Sequence, residues 1–435
     1  QDQVAQDELY RFALPYYNNL KDGLFASNFK TPFKMPSVGK NGNGVEEEEE
    51  VYLNEIRLEN FNGVEKSTPS DSPAANHLVM LHGYAASNGW WFKNLDELIK
   101  RGVNSKIHVL DMLGFGLSSR PNIKYKHDKK SLFELEFDNS NLTHHKQVHK
   151  SLYLPDTYTI DKSELKNYLK GQYELIDEVE SIYVESLESW RSATGLAKFD
   201  LLAHSLGGYV ALAYALKYPE RINKLILVSP GGIERSPFAI SNPEYKLLDD
   251  ESSNSGKKIE FKTSNWPGHY GFLGRYPTLK ESFKWAWNNR WSAFTFLRLS
   301  GPIGPKALSL RNVNKLTRSG SINNWKEIDL FIKYIYHVSI KPSFSETSIM
   351  RIFDASVVGR YPMLDRINQL RVNKTLWIYG EHDFMFNDCG KAAVDILKSN
   401  NKDAKFEVVS NAGHNLYLDN SKEFNDKVLN FLDWK

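Results

Sequence analysis

The chain has 435 residues, 41% apolar, 25% charged and 13% aromatic, which is enough apolar material for a large core and too much for a disordered polypeptide. Its 55 basic and 53 acidic side chains leave a net charge of +2, with no global attraction for nucleic acid. The single cysteine, Cys389, excludes an intramolecular disulfide and any multi-cysteine metal site, and no run approaches the roughly 18 apolar residues that span a bilayer. Contact with a membrane surface stays allowed. The chain starts at Gln1, so a targeting segment could precede it.

Residues 1–50 read as a peripheral segment. Tyr10, Phe12, Leu14, Tyr16 and Tyr17 can pack on a core, Gly39–Gly44 is linker-like, and Glu46–Glu50 is a self-repelling, solvated run. Val51–Leu58 alternates apolar and polar residues and predicts an early strand. Short apolar runs then recur at His77–His82, Lys106–Asp111, Phe199–His204, Leu225–Val228, Thr375–Tyr379 and Phe406–Val409, with helical patterns between them. Val210–Tyr218 is one such helix, and a long one is expected from Ser163 to about Thr194. Alternation of this kind predicts an α/β fold, a mostly parallel sheet with helices on both faces.

Two insertions interrupt the rhythm. The first, 122–162, is rich in Lys and His, including Lys124, Lys126, His127, Lys129, Lys130, His144, His145, Lys146, His149 and Lys150. The second, 234–354, is long enough for a helical cap and dense in aromatic residues from Trp266 to Phe296. The core is therefore expected in two parts, 51–233 and 355–435, around the cap.

Ala203-His204-Ser205-Leu206-Gly207-Gly208 falls where a predicted strand meets a predicted helix. A sharp turn there holds a serine hydroxyl above the sheet, and small residues two positions either side let backbones approach. Serine needs a base to take its proton. His414 follows the last predicted strand, and Asp383 follows the one before it and can orient the imidazole. Ser205, Asp383 and His414 thus follow strand ends in the chain order of α/β-hydrolases. Asp388, Asp354 and Asp365 are the competing acids; Glu381 and His382 are read as shaping the turn, and His82 and His204 as packing residues behind the site. The oxyanion needs two preorganised donors, expected from the backbone N–H groups of Leu206 and Tyr84, with Gly83 allowing a close turn. Gly114-Phe115-Gly116 lacks the rest of a dinucleotide fingerprint. This chemistry requires no metal or organic cofactor.

From about His77 to the C-terminus the chain resembles the α/β-hydrolase-domain lipases and acyltransferases that act on phospholipids. Within them it is most similar to the fungal branch that includes the mitochondrial cardiolipin-specific deacylase. The residues carrying the resemblance are His82–Ser87, Asp111–Ser118, His204–Tyr209, Leu299–Gly304, Tyr379–Asp383 and Gly413–Asp419. It implies an α/β-hydrolase fold and a serine phospholipase, with cardiolipin as the favoured substrate and a peripheral position on the mitochondrial inner membrane. His414 and Asp419 also match the His-x4-Asp pattern shared with glycerolipid acyltransferases, so transfer from acyl-CoA to a lysophospholipid is the rival, and a lipid-binding scaffold the third reading. For a phospholipid substrate, the cap aromatics, Trp287 and Trp291 among them, suit an acyl chain or a membrane edge. Arg235 and the Lys/His insertion are candidate contacts for phosphate or an anionic bilayer.

Overall fold

In chain order the computed structural model begins α1 (Asp2–Ala13), β1 (Leu24–Pro36), β2 (Glu48–Asn60), β3 (Asn76–Leu81), α2 (Leu95–Arg101) and β4 (Ser105–Leu110). Short strands β5 (Glu136–Phe137), β6 (Leu142–Lys146), β7 (Ser151–Pro155) and β8 (Thr157–Asp161) occupy the first insertion, followed by α3 (Lys162–Ala193), β9 (Phe199–His204), α4 (Leu206–Lys217) and β10 (Ile222–Val228). The second insertion holds β11 (Lys258–Lys262), α5 (Glu281–Asn288), α6 (Ala293–Leu299), α7 (Ile303–Arg318), α8 (Trp325–Ser339) and α9 (Ser345–Ile352). The chain closes with β12 (Lys374–Gly380), α10 (Asn387–Ser399), β13 (Asp403–Val409), α11 (Leu416–Asp419) and α12 (Ser421–Leu432). The structure describes residues 1–36, 48–62, 76–128, 136–137, 142–146, 151–155, 157–235, 239–241, 258–262, 281–301, 303–318, 322, 324–339, 341–355 and 357–434. The linker Gly39–Gly44, cap residues Trp266, Tyr270, Phe272 and Tyr276, and Lys129, Lys130, His149 and Lys150 lie outside them.

The main sheet has the order β1-β2-β4-β3-β9-β10-β12-β13. β1–β2 and β2–β4 are antiparallel and the later pairs parallel. Its inner strands β3, β9, β10 and β12 carry apolar runs because both faces are covered. Along β9, Leu201 and Ala203 enter one core with residues of α3, α4 and α10, while Leu202 enters the other with residues of α1, α2, α8 and α12. Trp377 and Tyr379 alternate with Leu376 and Ile378 along β12 in the same way. Parallel direction then brings the loops after β3, β9, β10, β12 and β13 to one edge of the sheet.

The N-terminal segment, expected at the periphery, enters this sheet. β1 pairs with β2 from Leu24↔Asn60 to Pro36↔Glu48, and Leu9 and Tyr10 of α1 are fully buried. β1 is an edge strand, which tolerates Pro32 and Pro36 because an open side needs no N–H donor. Glu48, Glu49 and Glu50 of the acidic run are exposed at the start of β2.

The second insertion is partly core. α8 buries Phe331, Tyr334 and Ile335, with the Phe331 ring 5.3 Å from Trp90 and 5.2 Å from Phe92. The two insertions also meet each other, since β8 and β11 pair antiparallel from Thr157↔Lys262 to Asp161↔Lys258. α3 starts where Asp161 accepts the N–H groups of Ser163 and Glu164, a side-chain cap for otherwise unbonded donors.

Candidate active site

β9 ends at His204 and α4 begins at Leu206, leaving Ser205 alone to make the turn. It does so at φ 54° and ψ −115°, a strained conformation for a residue with a Cβ. The surroundings hold it there: Ser205 N–H donates to Val228 O at 3.0 Å, and Ser205 O accepts from Gly231 N–H at 3.0 Å. Space is the second constraint. A Cβ on Gly207 would lie 2.4 Å from His82 O, and one on Gly208 would lie 2.8 Å from Pro230 Cβ. Ser205 itself is 9% exposed.

Asp383 and His414 come from the loops after β12 and β13, and the two loops are tied together by His382 N–H donating to Ala412 O at 2.8 Å. His414 Nδ1 lies 3.0 Å from Asp383 Oδ1, and Nε2 lies 3.0 Å from Ser205 Oγ. With Nδ1–H given to the carboxylate, Nε2 is the acceptor for the serine hydroxyl. The structure therefore brings Ser205, His414 and Asp383 into one hydrogen-bonded line. The Asp383 side chain is fully buried, and its oxygens also accept from Met385 N–H at 3.0 Å and from Ser229 Oγ–H. Ser229, just past β10, was not among the residues singled out in the sequence; its only signal is a small hydroxyl at a strand end on the same sheet edge. The His414 backbone is fixed from below, where His204 Nε2–H donates to His414 O at 2.9 Å. Phe384 places its ring 4.4 Å from the His414 imidazole.

The loop after β3 runs beside the serine. A Cβ on Gly83 would come 3.0 Å from Ser205 Cβ and 2.8 Å from His204 Nδ1, so glycine lets the Gly83–Tyr84 backbone close on the elbow. Leu206 N–H belongs to the first turn of α4, whose donors have no intrahelical acceptor. His82 behind this loop is neutral: Nδ1–H donates to Gly83 O at 2.8 Å and Nε2 accepts from Met112 N–H at 3.1 Å. Burial drives its pKa down to about 4. The Asp111–Ser118 loop alongside is pinned by the Asp111 carboxylate, which takes the N–H groups of Asn88 and Leu117 at 2.6 and 2.9 Å. Burial of that carboxyl raises its pKa to about 6. Above the loop, the Tyr84 phenol donates to Glu346 O at 2.7 Å, and the Glu346 carboxylate binds Arg298 at 2.7 and 2.9 Å and Ser292 Oγ at 2.6 Å. The second insertion and the loop after β3 are thereby linked.

The remaining candidates divide. Asp388 is held by Lys391 at 3.1 Å on α10, Asp354 accepts Val358 N–H at 3.1 Å, and Asp365 receives Arg235. Arg235, expected at a substrate phosphate, is thus half of a structural ion pair, because Asp365 meets it across the fold. Trp287, expected at an acyl chain or membrane, is instead a core residue, 9% exposed with Nε1–H donated to Phe353 O at 3.1 Å. Trp291 is 49% exposed and groups with exposed Trp285 and Phe296 at ring distances of 5.3 and 5.6 Å. Asp419 Oδ2 accepts Gly413 N–H at 2.9 Å and so fixes the turn that carries His414. Glu381 accepts Asn411 N–H at 2.9 Å within the same pair of loops. In the Lys/His insertion, His127 lies 3.1 Å from Glu174, and Asp128 receives Arg290 and Arg351. Among the described residues no cluster of three or more His, Cys, Asp or Glu is placed to hold a metal, and no helix is long and apolar enough to cross a membrane.

A serine on a strained strand–helix turn, an imidazole within reach and a buried carboxylate behind it can make and break acyl bonds. That site on this sheet defines the class, and comparison with known proteins agrees with it. Residues 76–421 match the family described as alpha/beta hydrolase fold, and the chain belongs to that family. It is 28% identical over 394 residues to Protein ECM18 of Saccharomyces cerevisiae, covering 89% of this chain and 76% of that one. It is also 28% identical over 364 residues to 1-acylglycerol-3-phosphate O-acyltransferase ICT1 of the same yeast, covering 81% of each. Identity with the human 1-acylglycerol-3-phosphate O-acyltransferase ABHD5 is 28% over 357 residues, covering 82% of this chain and 77% of the relative.

Proposed function

We propose that the protein is a serine phospholipase that removes a fatty-acyl chain from a phospholipid, with cardiolipin the favoured substrate. The observation that carries this reading is the unbroken line from Ser205 Oγ through His414 to Asp383. Ser205 Oγ attacks the ester carbonyl carbon, its proton passing to His414 Nε2, while the backbone N–H groups of Tyr84 and Leu206 receive the oxyanion. The carbonyl–oxygen bond to the lipid then breaks, His414 returns the proton to that oxygen, and the lysolipid leaves. Water adds to the acyl-serine with His414 again as base, releasing the fatty acid and restoring the serine. Asp383 orients and stabilises the imidazolium. The lipid class is supported by the relatives named as acylglycerol-phosphate acyltransferases. Choice of cardiolipin, and a peripheral place on the mitochondrial inner membrane, rest on the resemblance in the sequence.

The same relatives favour a second reading, in which a lysophospholipid hydroxyl replaces water as the group that resolves the acyl-serine and acyl-CoA supplies the acyl group. Both readings share Ser205. Mass spectrometry of products from cardiolipin vesicles, alone and with lysophosphatidate plus acyl-CoA, separates them. Monolysocardiolipin plus free fatty acid is the expected result, acylated lysophosphatidate alone would replace hydrolase by transferase, and neither product would remove both.

A further inference from the structure

A second polar cluster lies at the opposite ends of the strands. His77 is the second residue of β3 and Lys106 the second of β4, whereas the loop after β3 meets Ser205 at Gly83, roughly 20 Å of strand away. Glu55 is fully buried on β2, where it takes His108 Nδ1–H at 2.7 Å, Arg57 Nε–H at 2.7 Å and Trp190 Nε1–H at 3.2 Å. His108 Nε2 then meets His77 Nδ1 at 2.9 Å. The hydrogen-bonded line Glu55–His108–His77 runs outward and ends at a cavity of about 340 Å³ between β1, the sheet face and the C-terminal end of α3. Lys30, Arg57, Lys106 and both imidazoles line this cavity, and its described lining contains no carboxylate. The volume falls in the range of small-molecule sites.

The geometry points to a binding site for a phosphate monoester group, distinct from the acyl site, in which His77 takes a proton as the anion enters. Arg57 is preorganised for this by Glu55 on one side and by the Phe29 ring, 4.3 Å from its guanidinium, on the other. Lys106 is 3.0 Å from Glu59, and its ammonium can turn from that carboxylate to an incoming phosphate. Among the described residues, the charged groups around His77 are Glu55 and Arg57 on β2 and Lys106 and His108 on β4, with Glu59 beside Lys106 and Lys30 of β1 in the cavity lining. Burial first, and then the neighbouring His108, Lys106 and Arg57, lower the His77 pKa to about 4. A bound anion offsets those cations and raises it, so binding and protonation strengthen one another.

Titration calorimetry with glycerol 3-phosphate, with sulfate as an anion of constant charge, and with phosphatidic acid vesicles tests the site and separates a soluble phosphate from a lipid headgroup. Saturable binding of glycerol 3-phosphate with little gain from vesicles assigns a soluble ligand, and vesicle binding alone assigns a headgroup; either supports the site. Lys106→Gln is expected to weaken binding by about tenfold or more. Sulfate affinity is expected to rise as pH falls from about 8 to about 6, and His77→Gln to remove that rise. Thermal melting checks that each variant is folded. No binding by any of the three probes, or binding indifferent to Lys106→Gln in a folded variant, would overturn the site.

Discussion

The two edges of the sheet carry the same pairing with different ends. At one, a buried carboxylate holds an imidazole whose far nitrogen meets Ser205 Oγ at 3.0 Å; at the other, buried Glu55 holds His108, whose far nitrogen meets a second imidazole at 2.9 Å. What separates them is the third group and its backbone. Ser205 sits at φ 54° on a strand–helix turn, beside the first-turn donors of α4 and against Gly83. His77 is an ordinary strand residue facing a basic cavity. A carboxylate–imidazole pair by itself is therefore only a way to fix a tautomer and a charge. It becomes nucleophilic chemistry when a hydroxyl is held at the far nitrogen with donors ready for an oxyanion.

Substitutions at the two edges should part in kind. Ser205→Ala is expected to reduce acyl release by about a thousandfold or more while leaving the melting temperature unchanged, measured by product mass spectrometry and calorimetry. Asp383→Asn should cost about a hundredfold to ten-thousandfold in turnover, because the imidazole loses the partner that sets its tautomer. Glu55→Gln should act the other way: stability falls by about 3–5 kcal/mol in denaturant titration, since Arg57 loses a buried counter-charge, while turnover per folded molecule is kept. If Glu55→Gln abolished turnover in folded protein, the division between the edges would fail.

Acid should expose the same division. Burial works against charge on Glu55, but its bonds to His108 and Arg57 win and hold the carboxyl pKa at about 2, against 4.5 ordinarily. Its stabilisation is present above the ordinary value and is lost as pH falls through about 2. His77 and His82, both lowered to about 4 from 6.5 by burial, lose theirs as pH falls from 6.5 through about 4. Melting temperature should thus decline in two stages, with His77→Gln removing part of the first. The smallest expected effect is on folding by Trp291→Glu: that side chain is exposed, so the fold should stand while turnover on vesicles drops more than turnover on a soluble short-chain ester. Trp287→Glu should lower both through destabilisation, because that indole packs in the core.

The hydrogen-bonded line of Ser205, His414 and Asp383 was legible because each member follows an apolar run that reads as a buried strand, and parallel strands carry their following loops to one edge. Ser205, Asp383 and His414 needed no knowledge of distance, only of strand direction. Ser229 was not legible, since nothing in Val228-Ser229-Pro230 says that this hydroxyl meets Asp383, a partner 154 positions on. Arg235 and Trp287 misled for a related reason. Cationic and aromatic residues in a cap read as ligand contacts until a long-range partner, Asp365 or the Phe353 carbonyl, is seen to claim them. β1 was missed because an edge strand with prolines and lysines has a weak alternating pattern, and the Glu55–His108–His77 line because it joins three strands brought together only by the fold.

Both the hydrolase and the transferase reading require an acyl group on Ser205 between the two half-reactions. Rapid acid quench during turnover of cardiolipin, followed by peptide mass spectrometry, looks for that adduct directly. A fatty-acyl mass on the peptide containing Ser205, accumulating in step with lysolipid and clearing as fatty acid appears, is the predicted result. Steady release of fatty acid with Ser205 never acylated, or undiminished in Ser205→Ala, would contradict it.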